Sequence, residues 1–153
     1  MYGIYIILVF ILVAVIGNIF FDNENPQAEI EIDNKYLPAG NIIGIIWIII
    51  FGILGYIYTK INIKKDINFY SRFSIMLFVV ICFMYGPLTI GKSSRFIKNY
   101  NYLAFILLCI LTYILSLNVK KYNIYLIPLF LWIGYVSILT LLDDLKIINL
   151  YIN

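Results

Sequence analysis

"GPLTIGKSS", residues 86–94, is the stretch on which the fold turns. Gly86, Gly91, Lys92 and Ser93 stand in the spacing G-x-x-x-x-G-K-[ST] of a phosphate-cradling loop. Such a loop needs a short strand before it and a helix after it, so that backbone amides at the helix N-terminus hold the phosphates beside a parallel sheet. "IMLFVVICFMY", 75–85, could supply the strand, and "ILTLLDD", 138–144, could end in magnesium carboxylates at Asp143 and Asp144. A parallel sheet also requires amphipathic crossover helices. The segments on both sides of this loop are instead uniformly apolar for about 20 residues. The spacing therefore reads as a helix end, with Gly86 and Pro87 kinking the helix and Lys92, Ser93, Ser94 and Arg95 forming a headgroup-level loop. Pro87 removes the amide that would bond the carbonyl of Phe83, a loss membrane helices tolerate where neighbours satisfy the freed group.

Composition leads the same way. The chain has 153 residues, enough for one domain, 1–153; 63% are hydrophobic and 12% charged. Soluble domains carry about a quarter charged residues, so too few are present to cover a water-facing surface. The net charge of +3 is spread over connections and forms no basic face for nucleic acid; a lipid bilayer is the expected neighbour. The absence of histidine removes Ser-His and Cys-His catalysis, His-ligated zinc and proximal-His haem ligation. Cys82 and Cys109 lie in apolar runs and read as small hydrophobes.

Five uncharged runs follow one another: Tyr2–Phe21, Leu37–Thr59, Phe73–Gly91, Asn99–Val119 and Tyr122–Leu142, each about 19 to 23 residues. At 1.5 Å rise per residue, such a run matches a hydrocarbon core of about 30 Å, and strands do not run that long. The expectation is an all-α membrane protein, a five-transmembrane-helix bundle that crosses the membrane several times, with spans at about 2–21, 41–59, 73–91, 99–119 and 123–142. Short connections make neighbouring helices antiparallel. Tyrosines near the run ends (Tyr2, Tyr56, Tyr58, Tyr70, Tyr100, Tyr122) suit the membrane interface. The N-terminal side collects six Lys or Arg residues and the other side five, so the positive-inside rule fixes no orientation. The acidic segment 22–40, "DNENPQAEIEIDNKYLPAG", is the longest connection and reads either as a solvated loop or as a lid over one mouth of the bundle.

No ionisable residue lies within a run, which removes the usual machinery of a proton-coupled pump or a charge-selective pore. The interior offers Trp47, Phe51, Tyr85, Tyr113, Trp132 and Tyr135, with Ser137 and Thr140 as hydroxyls. Residue by residue, these are first of all helix-packing positions. Together they suit a flat apolar ligand held by stacking and burial.

"LPAGNIIGIIWIIIFGILGYIY", 37–58, resembles the second-helix signature of the translocator protein or tryptophan-rich sensory protein family (TspO/MBR), P-P-x-x-x-x-G-x-x-W-x-x-L-Y-x-x-x-G-Y, through Pro38, Gly44, Trp47, Gly55 and Tyr56. Ala39 and Phe51 replace the second Pro and the Tyr. "LIPLFLWIGYVSILTLLDD", 126–144, resembles its fifth-helix pattern through Pro128, Trp132, Tyr135 and Leu139, and "YGPLTI" falls where the family has W-P-P-x-F-F. The resemblance implies a five-helix bundle, often a homodimer, that binds a porphyrin or other tetrapyrrole, or a sterol-like small molecule, beneath the first long loop. It places Tyr36, Pro38, Trp47, Phe51, Tyr85, Trp132 and Tyr135 around that ligand, with no catalytic residue, no metal and no required cofactor. Phe78 and Cys82 stand for the polar Gln and Asn of the family's third helix, Leu129 for a Tyr, and Thr140 for an Asn. Phe73 and Leu77 replace its helix-three glycine pair.

The leading expectation is a sensor or carrier for such a ligand. The alternatives are light- or oxygen-dependent porphyrin breakdown with Trp132 as electron donor, and a small structural or lipid-transport partner with no dedicated ligand.

Overall fold

A computed structural model of the chain describes residues 2–23, 38, 40–63, 69–89 and 94–152, and every one of these except Pro38 is helical. The helices are α1 (Tyr2–Asn23), α2 (Gly40–Ile63), α3 (Phe69–Thr89), α4 (Ser94–Val119) and α5 (Ile127–Ile152); a 3-10 helix, Lys120–Leu126, joins the last two. No strand occurs among the described residues. The stretch 75–85 lies wholly within α3, which runs on through Gly86 and Pro87 to Thr89. A phosphate loop thus lacks the strand that would deliver it, while Gly91, Lys92 and Ser93 lie outside the described residues, as does most of the acidic segment.

Isoleucine supplies 34 of the 153 residues, and β-branched residues are only moderate helix formers in water. An apolar solvent reverses the balance: with no water to take up amides and carbonyls, a helix satisfies every backbone group within one segment. The outer surface fits such a solvent. Ile42, Ile45 and Ile49 expose one flank of α2, 48–56% each, while Ile50, Leu54, Ile57 and Ile61 bury the other at 2% or less. A helix apolar on both faces is a core helix or a membrane span, and α2 is half out of the core. The other helices repeat the pattern, with Leu8 and Leu12 of α1, Phe73 and Val80 of α3, Ile106 and Ile110 of α4, and Leu131 and Ile138 of α5 all exposed. Three segments are long and apolar enough to cross a membrane: Asn41–Asn62, Arg95–Leu117 and Lys120–Leu139. The apolar stretches in α1 and α3 are shorter, Gly3–Ile19 and Phe69–Tyr85.

The helix ends differ from the charge boundaries. α2 carries Lys60 in its last turn and continues to Ile63, where a cation meets the negative end of the helix dipole favourably. α4 starts at Ser94 and α5 continues past Asp143 and Asp144 to Ile152. Lys120 and Lys121 open the 3-10 helix, whose Tyr122 and Leu126 are buried. Pro128 sits in the first turn of α5, where a missing amide costs little.

α1 and α2 make the closest pairing, because glycine lets their backbones approach. A Cβ at Gly55 would stand 3.1 Å from the Ile7 Cα and 3.0 Å from the Phe10 Cβ. Two polar bonds fix the pair at its ends: the Thr59 hydroxyl donates to the Gly3 carbonyl and Asn18 Nδ2 donates to the Gly44 carbonyl, both at 3.2 Å. α4 packs between α3 and α5, and α2 meets α3 and the 3-10 helix. Phe51, Leu54, Ile75, Phe78, Leu108 and Leu129 belong to one apolar core to which all five helices contribute.

Candidate functional site

The aromatics that the sequence groups around a ligand occupy three helices. On α2, one turn apart, Trp47 and Phe51 meet edge to face with ring centroids at 6.1 Å. Phe51 is 98% buried and forms part of the core, while Trp47 is half-buried at its margin. Trp132 and Tyr135 on α5 stack at 6.1 Å and 29°. Trp132 is half-buried against the same core, and Tyr135 is 39% exposed. Both tryptophans therefore border one apolar interior while keeping part of each ring outside it. Tyr85 belongs to a third group, edge to face with Tyr100 of α4 at 5.6 Å. Pro38 is half-buried just ahead of α2, and Tyr36 lies outside the described residues.

Two of the interior groups read from the sequence have other surroundings. Tyr113 is 64% exposed on α4 and faces outward; in a helix apolar all round, the uncharged run carries no mark of which flank is inner. Ser137 donates to the Ile133 carbonyl at 2.7 Å, a bond within its own helix that leaves the hydroxyl poorly placed to orient a ligand. Thr112 and Ser116 likewise donate to Leu108 and Tyr113 carbonyls of α4. The side chain of Thr140 lies outside the described residues.

Sequence reasoning passed over the buried polar side chains Ser71 and Ser74 of α3 and Asn101 of α4. Asn101 of α4 is 96% buried, its side chain meets Tyr85, and its Nδ2 is buried without a hydrogen-bond partner among the described residues. Nearby, the Tyr100 hydroxyl donates to the Ile81 carbonyl at 2.7 Å. Tyr85, Tyr100 and Asn101 thus form a polar cluster between α3 and α4 at the end of the bundle where α3 finishes. The signal was present in "NYNY", 99–102, but a position near the edge of an uncharged run reads as interfacial.

A site built this way offers aromatic rings, apolar flanks and an amide. Among the described residues no cluster of three His, Cys, Asp or Glu side chains could hold a metal ion. No family model matches the chain, and no curated protein or solved structure matches it.

Proposed function

We propose that the chain is an integral membrane protein of five spans, similar to the TspO/MBR family, that binds a tetrapyrrole or a comparably flat, apolar molecule as a sensor or carrier. The observation that carries this reading is the pair of half-buried tryptophans, Trp47 on α2 and Trp132 on α5, each with a second aromatic ring beside it at the margin of one apolar core. Ring faces left partly open beside a core bind flat π-systems by offset stacking and area burial, with few polar contacts needed. Apolar surface on the outward flanks of all five helices supports five spans rather than three, since α1 and α3 would otherwise expose the same kind of flank to water. The signature positions Pro38, Gly44, Trp47, Gly55, Pro128 and Trp132 support the family likeness.

Protoporphyrin IX titrated into the detergent-purified chain should quench tryptophan emission saturably, at about one ligand per chain. Trp47→Phe and Trp132→Phe should each remove part of the quenchable signal. Linear, unsaturable quenching by every tetrapyrrole tried would defeat the proposal.

A further inference from the structure

The end of the bundle opposite the α3–α4 polar cluster carries an arrangement that the proposed ligand site does not use. Gly3 of α1, Thr59 and Asn62 of α2 and Arg72 of α3 meet there, the last two through an Arg72–Asn62 hydrogen bond of 3.1 Å. The 3-10 helix reaches the same end of α2, with Tyr125 edge to face on Tyr56 at 5.3 Å and Tyr122 beside Tyr125 at 6.3 Å. Two ammonium groups rest on these rings from different elements: Lys60 Nζ lies 5.3 Å from the Tyr56 ring centre, and Lys121 Nζ lies 5.1 Å from that of Tyr122. Cation–π contact holds each head beside a ring rather than free in solvent.

Charge is divided unevenly along the bundle axis. By sequence, the end with the tyrosine shelf has Lys60, Lys64, Lys65, Arg72, Lys120 and Lys121 against Asp66 alone, a net +5. The opposite end has five cations against seven carboxylates, a net −2. Counting cations alone, six against five, conceals this difference. Immediately beyond the shelf, Ile124, Ile127 and Leu131 are 64%, 51% and 69% exposed and follow one another at intervals of three and four residues along the 3-10 helix and α5. Two cations above tyrosine rings, continued by an open apolar strip in the span direction, match a molecule with an anionic head and a hydrocarbon tail.

We infer that Lys60 and Lys121, held over Tyr56 and Tyr122, form a binding site for the phosphate of an anionic glycerophospholipid whose acyl chain lies along Ile124, Ile127 and Leu131. Long lysines at a span end commonly extend toward the headgroups one by one. Here two lysines from separate elements each stand over a tyrosine of one joined set of rings, so both cations are held at the same end of the bundle. The inference rests on the membrane reading and is independent of any tetrapyrrole.

Native mass spectrometry tests it. The full chain in a nonionic detergent is given an equimolar mixture of phosphatidylglycerol and phosphatidylcholine with identical acyl chains, and the first lipid retained is counted. At about fivefold preference per lysine near anionic lipid, the wild type should favour phosphatidylglycerol roughly 30-fold. K60Q/K121Q should bring the ratio close to parity, K60R/K121R should keep it, and Lys98→Gln at the opposite end should leave it unchanged. Equal retention of both lipids by the wild type would overturn the inference, as would an undiminished preference in K60Q/K121Q. So would displacement of phosphatidylglycerol by equimolar inorganic phosphate, which would make this a site for free phosphate.

Discussion

A single added methyl group at Gly55 should loosen the bundle more than one at Gly44, Gly52 or Gly134, and the geometry sets the amount. The new Cβ would lie 3.0 Å from Phe10 Cβ, 3.1 Å from Phe10 Cγ and 3.1 Å from Ile7 Cα. Carbon pairs are most favourable at about 3.5–4.0 Å, so three contacts each fall short by roughly half an ångström. The Ile7 contact is with backbone, and relief requires α1 to move as a body away from α2. Overpacking of this kind costs about 1–3 kcal/mol, against a gain of up to about 1 kcal/mol from replacing glycine by alanine in a helix. The net expectation for Gly55→Ala is a loss of about 1–2 kcal/mol, or some 3–6 °C in Tm for a chain of this size. Gly134 is the control, since nothing lies within 4 Å of an added Cβ there; Gly134→Ala should hold or raise Tm by about 2–4 °C. Gly52→Ala, with its nearest contact to Ile11 at 3.7 Å, should resemble Gly134→Ala. Thermal unfolding in one detergent, followed by intrinsic tryptophan emission, reads all three. Gly55→Ala melting at or above the wild type would refute the close α1–α2 approach, as would Gly134→Ala falling below Gly55→Ala.

Thr59→Val keeps the side-chain shape and removes the bond to the Gly3 carbonyl; the same unfolding assay should show a loss of about 0.6 kcal/mol, the usual worth of an interhelical bond in a membrane protein, and no change would mean the bond is not formed. A nucleotide should not bind, because α3 reaches Gly86 as a helix. Saturable, magnesium-dependent binding of a fluorescent ATP analogue that Lys92→Ala abolishes would contradict the helical reading of 75–89. Cys109 is exposed and Cys82 buried, yet Cys109 lies near the middle of the Arg95–Leu117 span. In detergent, N-ethylmaleimide should therefore modify Cys109 ahead of Cys82 by intact mass, whereas a charged, membrane-impermeant thiol reagent should modify neither in sealed liposomes. Rapid labelling of Cys109 by the charged reagent would place that face of α4 in water and remove the membrane reading.

The number and type of the elements were legible because both follow from run length. A single strand does not run to some 20 residues, and each of the five runs lies largely within one helix, the fifth taking in part of the 3-10 helix as well. Their ends were less legible, for a physical reason: a charge marks where a helix can meet headgroups or water, not where its hydrogen-bond ladder stops. Lys60 in α2 and Asp143 and Asp144 in α5 sit inside helices that continue beyond them.

The inward faces were the hardest to read. In a soluble helix the polar flank reveals the buried one, but here both flanks are apolar, so Ile49 and Ile50 look alike in sequence while one is 53% exposed and the other 2%. Residue type alone places Tyr113 inward, and its exposure of 64% shows how little type decides in a helix apolar all round. What still discriminates is size. Gly55 lets the α1 and α2 backbones approach, while Gly44 lies against the Asn18 side chain and accepts its hydrogen bond, and both are signature positions in the stretch 37–58. The part of the resemblance that the packing explains without any ligand is therefore its glycines; its tryptophans are the part that packing leaves half uncovered, and on those the case for a bound molecule has to be tested.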